Sequence, residues 1–251
     1  MKKNSIVIVM VSFLFVVSYS FSATPKAKKL FDCTGKIQKA IEKYNKKKYL
    51  DCQDLLTEVL AQCPGHSAYD TALYYQGKSM VATKKYDEAK TEFDRLVSTF
   101  PTSAFYEEAL FRIGQCMFLS SNGPDMDQAL TKDAQSRLKD FMELYSKSVF
   151  SDSANAILVL AEEKLAEKEL NNAKFYEKID QWEAAIVYYR LLMQDFPQSK
   201  YMPEAMVNTA EDLIKANRNS EALAILNDFA SRTNDDVLLK KANALKAKIP
   251  K

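Results

Sequence analysis

Glycine, histidine and tryptophan are scarce in this chain: five, one and one among 251 residues. So few glycines exclude a fold built on many tight β-turns, and the abundance of Ala, Leu, Lys and Glu favours helix. The lone His66 stands in a Pro-Gly turn and reads as solvent-facing, which leaves little for general-base chemistry. Also missing are a G-x-S-x-G elbow, a glycine-rich phosphate loop and an H-E-x-x-H pair. Asp125, Asp127 and Asp133 lack the glycine and closing glutamate of an EF-hand, and read as a solvated insertion. No catalytic residue, metal ligand or cofactor is expected, so the chain reads as a non-enzyme.

A charge excess is missing as well. Lysines and arginines number 35 against 33 acids, a formal net charge of +2. The one long apolar run, Ile6–Val17, follows Lys2 and Lys3 and precedes Ser18, Ser20, Ser22 and Ala23. This is the layout of a secretory signal cut after Ser22 or Ala23, and the run is short for a membrane span. Losing residues 1–22 removes two lysines and no acid, leaving a neutral chain. Lys26–Lys29 and Lys46–Lys48 read as a solvated linker and turn. Neutrality without a basic cluster argues against nucleic acid or an anionic membrane as main partner. The expected organisation is a signal peptide (1–22), a linker (23–33) and one helical domain (34–249).

What the chain does have is a repeat. YDEAKTEFDRLVSTFP, residues 86–101, returns as residues 49–64 and 182–197, each closed by a proline. Cys52 and Ala89, Leu56 and Phe93, Pro64 and Pro101, and Gly77 and Gly114 are all 37 residues apart. The period lies close to the 34-residue tetratricopeptide unit, a helical hairpin whose small residues permit close crossing. The expected fold is all-α: a right-handed solenoid of about five tetratricopeptide-like hairpins. A long helix from Asp152 to about Lys178 opens the fourth, a loop at Ser120–Asp127 interrupts the third, and Asp235–Lys248 caps the end.

Four cysteines in an exported chain invite disulfide arithmetic. Cys52 and Cys63 lie too far apart on one helix to bridge. Cys33 and Cys63 flank the first hairpin's turn almost symmetrically, so a disulfide is predicted there, while Cys52 and Cys116 read as buried small hydrophobes. Asp32 before Cys33, and Lys28 and Lys29 between it and the apolar run, do not match a lipid-attachment site.

In tetratricopeptide hairpins, positions near 2, 5, 9 and 12 of the first helix face a groove. Counting from Asp70 and Glu107 gives Thr71, Tyr74, Lys78 and Val81, then Glu108, Phe111, Gln115 and Phe118. Tyr74, Lys78, Phe111, Gln115 and Phe118 are the candidate peptide-groove residues, with aromatics for side chains and polar groups for a backbone or terminal carboxylate. The competing reading packs the same aromatics between neighbouring hairpins.

The turns FPTSAFYEEAL and FPQSKYMPEAM resemble the envelope tetratricopeptide proteins of Gram-negative bacteria. The interrupting loop NGPDMDQALTKDAQSRLKDF and the long helix after it are similar to the BamD family of outer-membrane assembly lipoproteins, from about Gly35 to Phe229. The resemblance implies a non-catalytic scaffold of the machinery that folds β-barrel proteins into the outer membrane. It implies a BamA-like partner bound through POTRA domains by the C-terminal repeats, and unfolded clients whose C-terminal signals reach the N-terminal repeats. It also implies a periplasmic location at the inner face of the outer membrane. The missing lipid cysteine makes the expected membrane association indirect. The alternative is the periplasmic coordinator of the Tol-Pal system, which carries an N-terminal coiled coil for which this chain leaves no room.

Overall fold

The computed structural model describes residues 31–233 and 235–250. The expected signal peptide and most of the linker lie outside the described residues. From Asp32 onward the chain forms one compact unit. Among the described residues there are eleven α-helices and no strands: α1 Cys33–Asn45, α2 Tyr49–Gln62, α3 Tyr69–Ala82, α4 Tyr86–Thr99, α5 Tyr106–Ser120, α6 Ala129–Leu144, α7 Ser151–Lys178, α8 Trp182–Asp195, α9 Met202–Lys215, α10 Asn219–Arg232 and α11 Asp236–Lys248. Each helix packs on the next in chain order, giving a solenoid of five hairpins and a closing helix.

The turn inside four of the hairpins is built the same way. Lys47, Lys84, Asp180 and Asn217 all adopt positive φ, near 60°. The residue after each donates its N–H back into the helix: Lys48 to the Lys43 carbonyl, Lys85 to Met80, Gln181 to Tyr176 and Arg218 to Leu213, at 2.8–3.0 Å. These bonds satisfy carbonyls that the helix end leaves open, and offset the steric cost of a left-handed non-glycine residue.

Close crossing depends on one small residue per first helix: Ala40, Gly77, Gly114, Ala173 and Ala210, all buried. Opposite them on the second helices lie buried residues such as Leu56, Phe93, Leu138 and Tyr189.

Neighbouring hairpins are joined by a latch. The Phe105 N–H donates to Ser103 Oγ (3.2 Å), and that hydroxyl donates to Asp70 Oδ2 (2.6 Å) at the start of α3. Ser148 repeats this with Phe150 and Glu107, and Ser199 with Tyr201 and Glu163. His66 takes the same place after the first hairpin. Its Nδ1 accepts from the Ala68 N–H (3.1 Å) and its Nε2 reaches Thr34 Oγ1 (3.1 Å), so it is a structural bridge rather than a solvent-facing side chain.

Two features interrupt the period. The segment 121–128 is held against α7: Lys164 Nζ donates to Ser121 Oγ (2.7 Å), Lys168 Nζ to the Asp125 carbonyl (3.0 Å) and Asn171 Nδ2 to Asp125 Oδ1 (2.6 Å). The acids expected to be solvated thus include one pinned in place. Helix α7 itself runs 28 residues where α3 runs 14. Its first half packs on α6 through Ala154, Ile157 and Leu158, and its second on α8 through Ala166, Leu170 and Ala173.

Both ends of the array are closed. Cys33 and Cys63 form a disulfide with a Cα–Cα distance of 6.1 Å, tying the start of α1 to the end of α2. A link across this separation stabilises the hairpin by about 3 kcal/mol. Cys52 and Cys116 are free and buried; burial pushes their thiols up to about 11 and about 12. At the other end α11 starts on an Asp235 cap, whose Oδ1 accepts from the N–H groups of Val237 and Leu238. It buries Ala242 and Leu245 against α9 and α10.

Candidate functional site

Helix α1 packs beside α3, and side chains of α3 reach α5, which sets the frame of the site. Counted as in the sequence, the fifth position of every first helix is buried: Ile37, Tyr74, Phe111, Leu170 and Val207. Two of the three aromatics expected to line a groove, Tyr74 and Phe111, therefore do not line it with their rings. Phe111, 2% exposed, stacks on Phe150 (5.3 Å between centroids) and lies 5.9 Å from Phe141. Tyr74 stacks on Phe105 at 4.1 Å. Phe105 and Phe150 are the aromatics that follow the latch serines, so this position serves the joint between hairpins. Burial of apolar area there outweighs any groove role.

Lys78, Gln115 and Phe118 remain partly exposed. Phe118 is covered by the Lys164 ammonium, 4.6 Å above its ring, while Lys78 and Gln115 join a polar cluster that spans two repeats. At its centre is Glu108. Tyr74 OH donates to Glu108 Oε2 (2.5 Å); Arg112 donates to Oε1 through Nη2 (2.9 Å) and Nε (3.1 Å); Lys78 Nζ lies 3.7 Å from Oε1. Lys78 Nζ also donates to Tyr74 OH (2.9 Å), and Arg112 Nη1 to Gln115 Oε1 (2.8 Å). Burial works against the Glu108 charge, but the Tyr74 hydroxyl, Arg112 and Lys78 together outweigh it and hold the carboxyl below the ordinary glutamate range. Burial, and then Glu108, push the Tyr74 hydroxyl up.

Aromatic faces adjoin these charges. Tyr75 packs edge-on against Tyr44 (5.3 Å) and Tyr74 (5.2 Å), and the Lys78 ammonium lies 5.6 Å from the Tyr44 ring. Two cations and one acid leave a surplus positive charge beside tyrosines, a combination suited to an anionic group next to an aromatic one. Arg112 and Tyr44 were missed in the sequence. Extending the count back to the first repeat puts Tyr44 at position 12, and Arg112 becomes visible only once position 5 is known to turn inward.

Further along the same helix face the charges are paired. Lys174 meets Glu204 (2.7 Å), and Lys241 meets Glu211 (2.8 Å) and Asn208 Oδ1 (2.9 Å). Lys215 lies 4.0 Å from the Trp182 ring and donates to the buried Asp212 (3.0 Å). Among the described residues no group of three or more His, Cys, Asp or Glu is placed to hold a metal, and no helix is long and apolar enough to cross a membrane. The Cys33 sulfur is engaged by Cys63, so in this fold it bears no lipid thioether.

The profile of the family described as YfiO, outer membrane lipoprotein, matches residues 37–223. The chain belongs to this family. The matched span of the YfiO-family chain runs from α1 into α10, taking in the Glu108 cluster, the pinned insertion and the whole of α7. The outer membrane protein assembly factor BamD of Caulobacter vibrioides is 25% identical over 169 residues, 67% of this chain and 55% of that protein. The chain thus spans about half the length of that relative. Among solved structures, the TPR2AB domain of yeast Sti1 in complex with pHSP90 aligns at a TM-score of 0.43 and 13% identity, covering 86% of this chain and 82% of that one. A thermophilic TPR protein of Thermus thermophilus aligns at 0.38 and 15%, covering 85% and 98%. The membership of the YfiO family does not rest on likenesses this loose.

Proposed function

We propose that this chain is a non-catalytic scaffold of the machinery that assembles β-barrel proteins into the outer membrane, acting at the periplasmic face of that membrane. The observation that carries the proposal is the family match across residues 37–223, together with a relative named as an assembly factor. The C-terminal repeats hold a BamA-like barrel subunit through its POTRA domains. The first-helix face around Lys78, Arg112, Tyr44 and Tyr75 receives the C-terminal signals of unfolded clients. Its surplus positive charge fits a terminal carboxylate, and its tyrosine faces fit an aromatic last residue. With Cys33 in a disulfide, the described residues reach the membrane through the partner.

The test is affinity capture of the tagged chain from gently solubilised envelopes, with bound proteins identified by mass spectrometry. A stoichiometric barrel protein bearing POTRA domains is expected. Recovery of Tol or Pal components without such a barrel overturns the reading.

A further inference from the structure

We infer that Glu108 is a built-in stand-in for the terminal carboxylate of the peptide that the first-helix face receives, and that it sets how tightly that face holds its ligand. The inference rests on the peptide-binding reading above.

Cations from two different repeats, Lys78 on α3 and Arg112 on α5, converge on this one carboxylate, and both of its oxygens are used. Without an acid between them, Lys78 and Arg112 would be like charges held close in a half-buried place. Glu108 keeps them aligned in the empty protein, the preorganisation that binding sites need. Its side chain is 15% exposed, whereas those of Lys78 and Arg112 are 24% and 23% exposed, so the cations open to solvent more than the acid does.

The donors are not exhausted. An ammonium has three N–H groups and a guanidinium five. Lys78 spends one on Tyr74, and Arg112 spends three on Glu108 and Gln115. An arriving carboxylate therefore finds free donors on the solvent side and a resident negative charge behind them. The repulsion between the two acids lowers affinity, which favours a client that is held and then passed on. It also confines the site to ligands with enough apolar contact on Tyr44 and Tyr75 to offset that repulsion.

The test uses the full mature chain and two short synthetic peptides of alternating apolar and polar residues ending in Phe, one with a free carboxylate and one amidated. Binding is read by fluorescence anisotropy, and folding by the melting temperature. Glu108→Gln keeps the shape and removes the charge. It is expected to bind the free-acid peptide roughly tenfold more tightly and the amidated peptide unchanged. Lys78→Met, at a part-exposed position, is expected to lose the preference for acid over amide. If the wild-type chain prefers the acid but Glu108→Gln does not tighten it, Glu108 is only a strut and the inference falls alone. Equal binding of both peptides by the wild type and by Glu108→Gln also overturns it, while leaving the peptide-binding reading in place. Binding of neither peptide by either protein sinks that reading and the inference together. Should Glu108→Gln fail to fold, Lys78→Met decides: a retained acid preference overturns the inference.

Discussion

Gly77 illustrates how one atom governs a repeat. A Cβ built on it would lie 2.7 Å from Phe93 Cζ, and one on Gly114 would lie 2.8 Å from Leu138. Phe93 is fully buried, so its ring has no free space into which to swing. Alanine gains about 1 kcal/mol of helix propensity over glycine, but overpacking a close crossing costs about 1–3 kcal/mol. Gly77→Ala is thus expected to lower stability by about 1 kcal/mol in urea denaturation, and by less than that in a Phe93→Leu background. Equal losses in both backgrounds would show that the ring is not the obstacle. These glycines were legible beforehand because a 37-residue spacing places them at helix crossings. Tyr74 and Phe111 were half legible. Spacing puts them on the inward side of a first helix, but the aromatics that stack on them, Phe105 and Phe150, come from the following turn. The turn that carries them recurs as FPTSAF and FPQSKY, but its spacing alone does not say that its aromatic stacks back onto the preceding first helix.

At the scale of elements, the junction of α7, α8 and α9 carries a second buried acid. Asp212 has no exposed surface; its Oδ1 accepts from Lys215, and its Oδ2 has no donor. Glu177 on α7 and Tyr189 on α8 face the same spot. Two carboxylates can hydrogen-bond only by sharing a proton, which accounts for the missing donor. Burial pushes Asp212 up from 3.8 to about 7, Glu177 adds to the rise and Lys215 opposes it. The unfolded chain gives up this proton near 3.8 and the folded chain near 7, so folding takes up a proton between those values. Stability from this group is therefore full at low pH, declines as pH rises through that window and levels off above about 7. Melting curves from pH 5 to pH 8 should show the decline in the wild type and a shallower one in Asp212→Asn. Parallel curves would remove Asp212 as the cause. Nothing in the sequence marks this acid, which sits in a helix of ordinary amphipathic pattern. The bounds of α7, by contrast, were readable to within a residue.

At the scale of the molecule, helix packing among the described residues runs mainly between neighbouring hairpins, so local unfolding at one end should stay there. Reducing the disulfide is expected to speed amide hydrogen exchange in α1 and α2 while leaving α9, α10 and α11 unchanged. Uniform acceleration along the chain would show instead that the array unfolds as one body. The overall architecture followed from the repeat and the turn prolines. The candidate face followed only in part, because its charges come together from two repeats.

Helix α7 also gives the molecule a mechanical character. Its 28 residues contain neither glycine nor proline, and it rises about 42 Å as one hydrogen-bonded rod. The rod is shared: its first half belongs to the packing of the third hairpin and its second half to the fourth. The packing surfaces of the third and fourth repeats are thus joined by a stiff rod rather than by a turn.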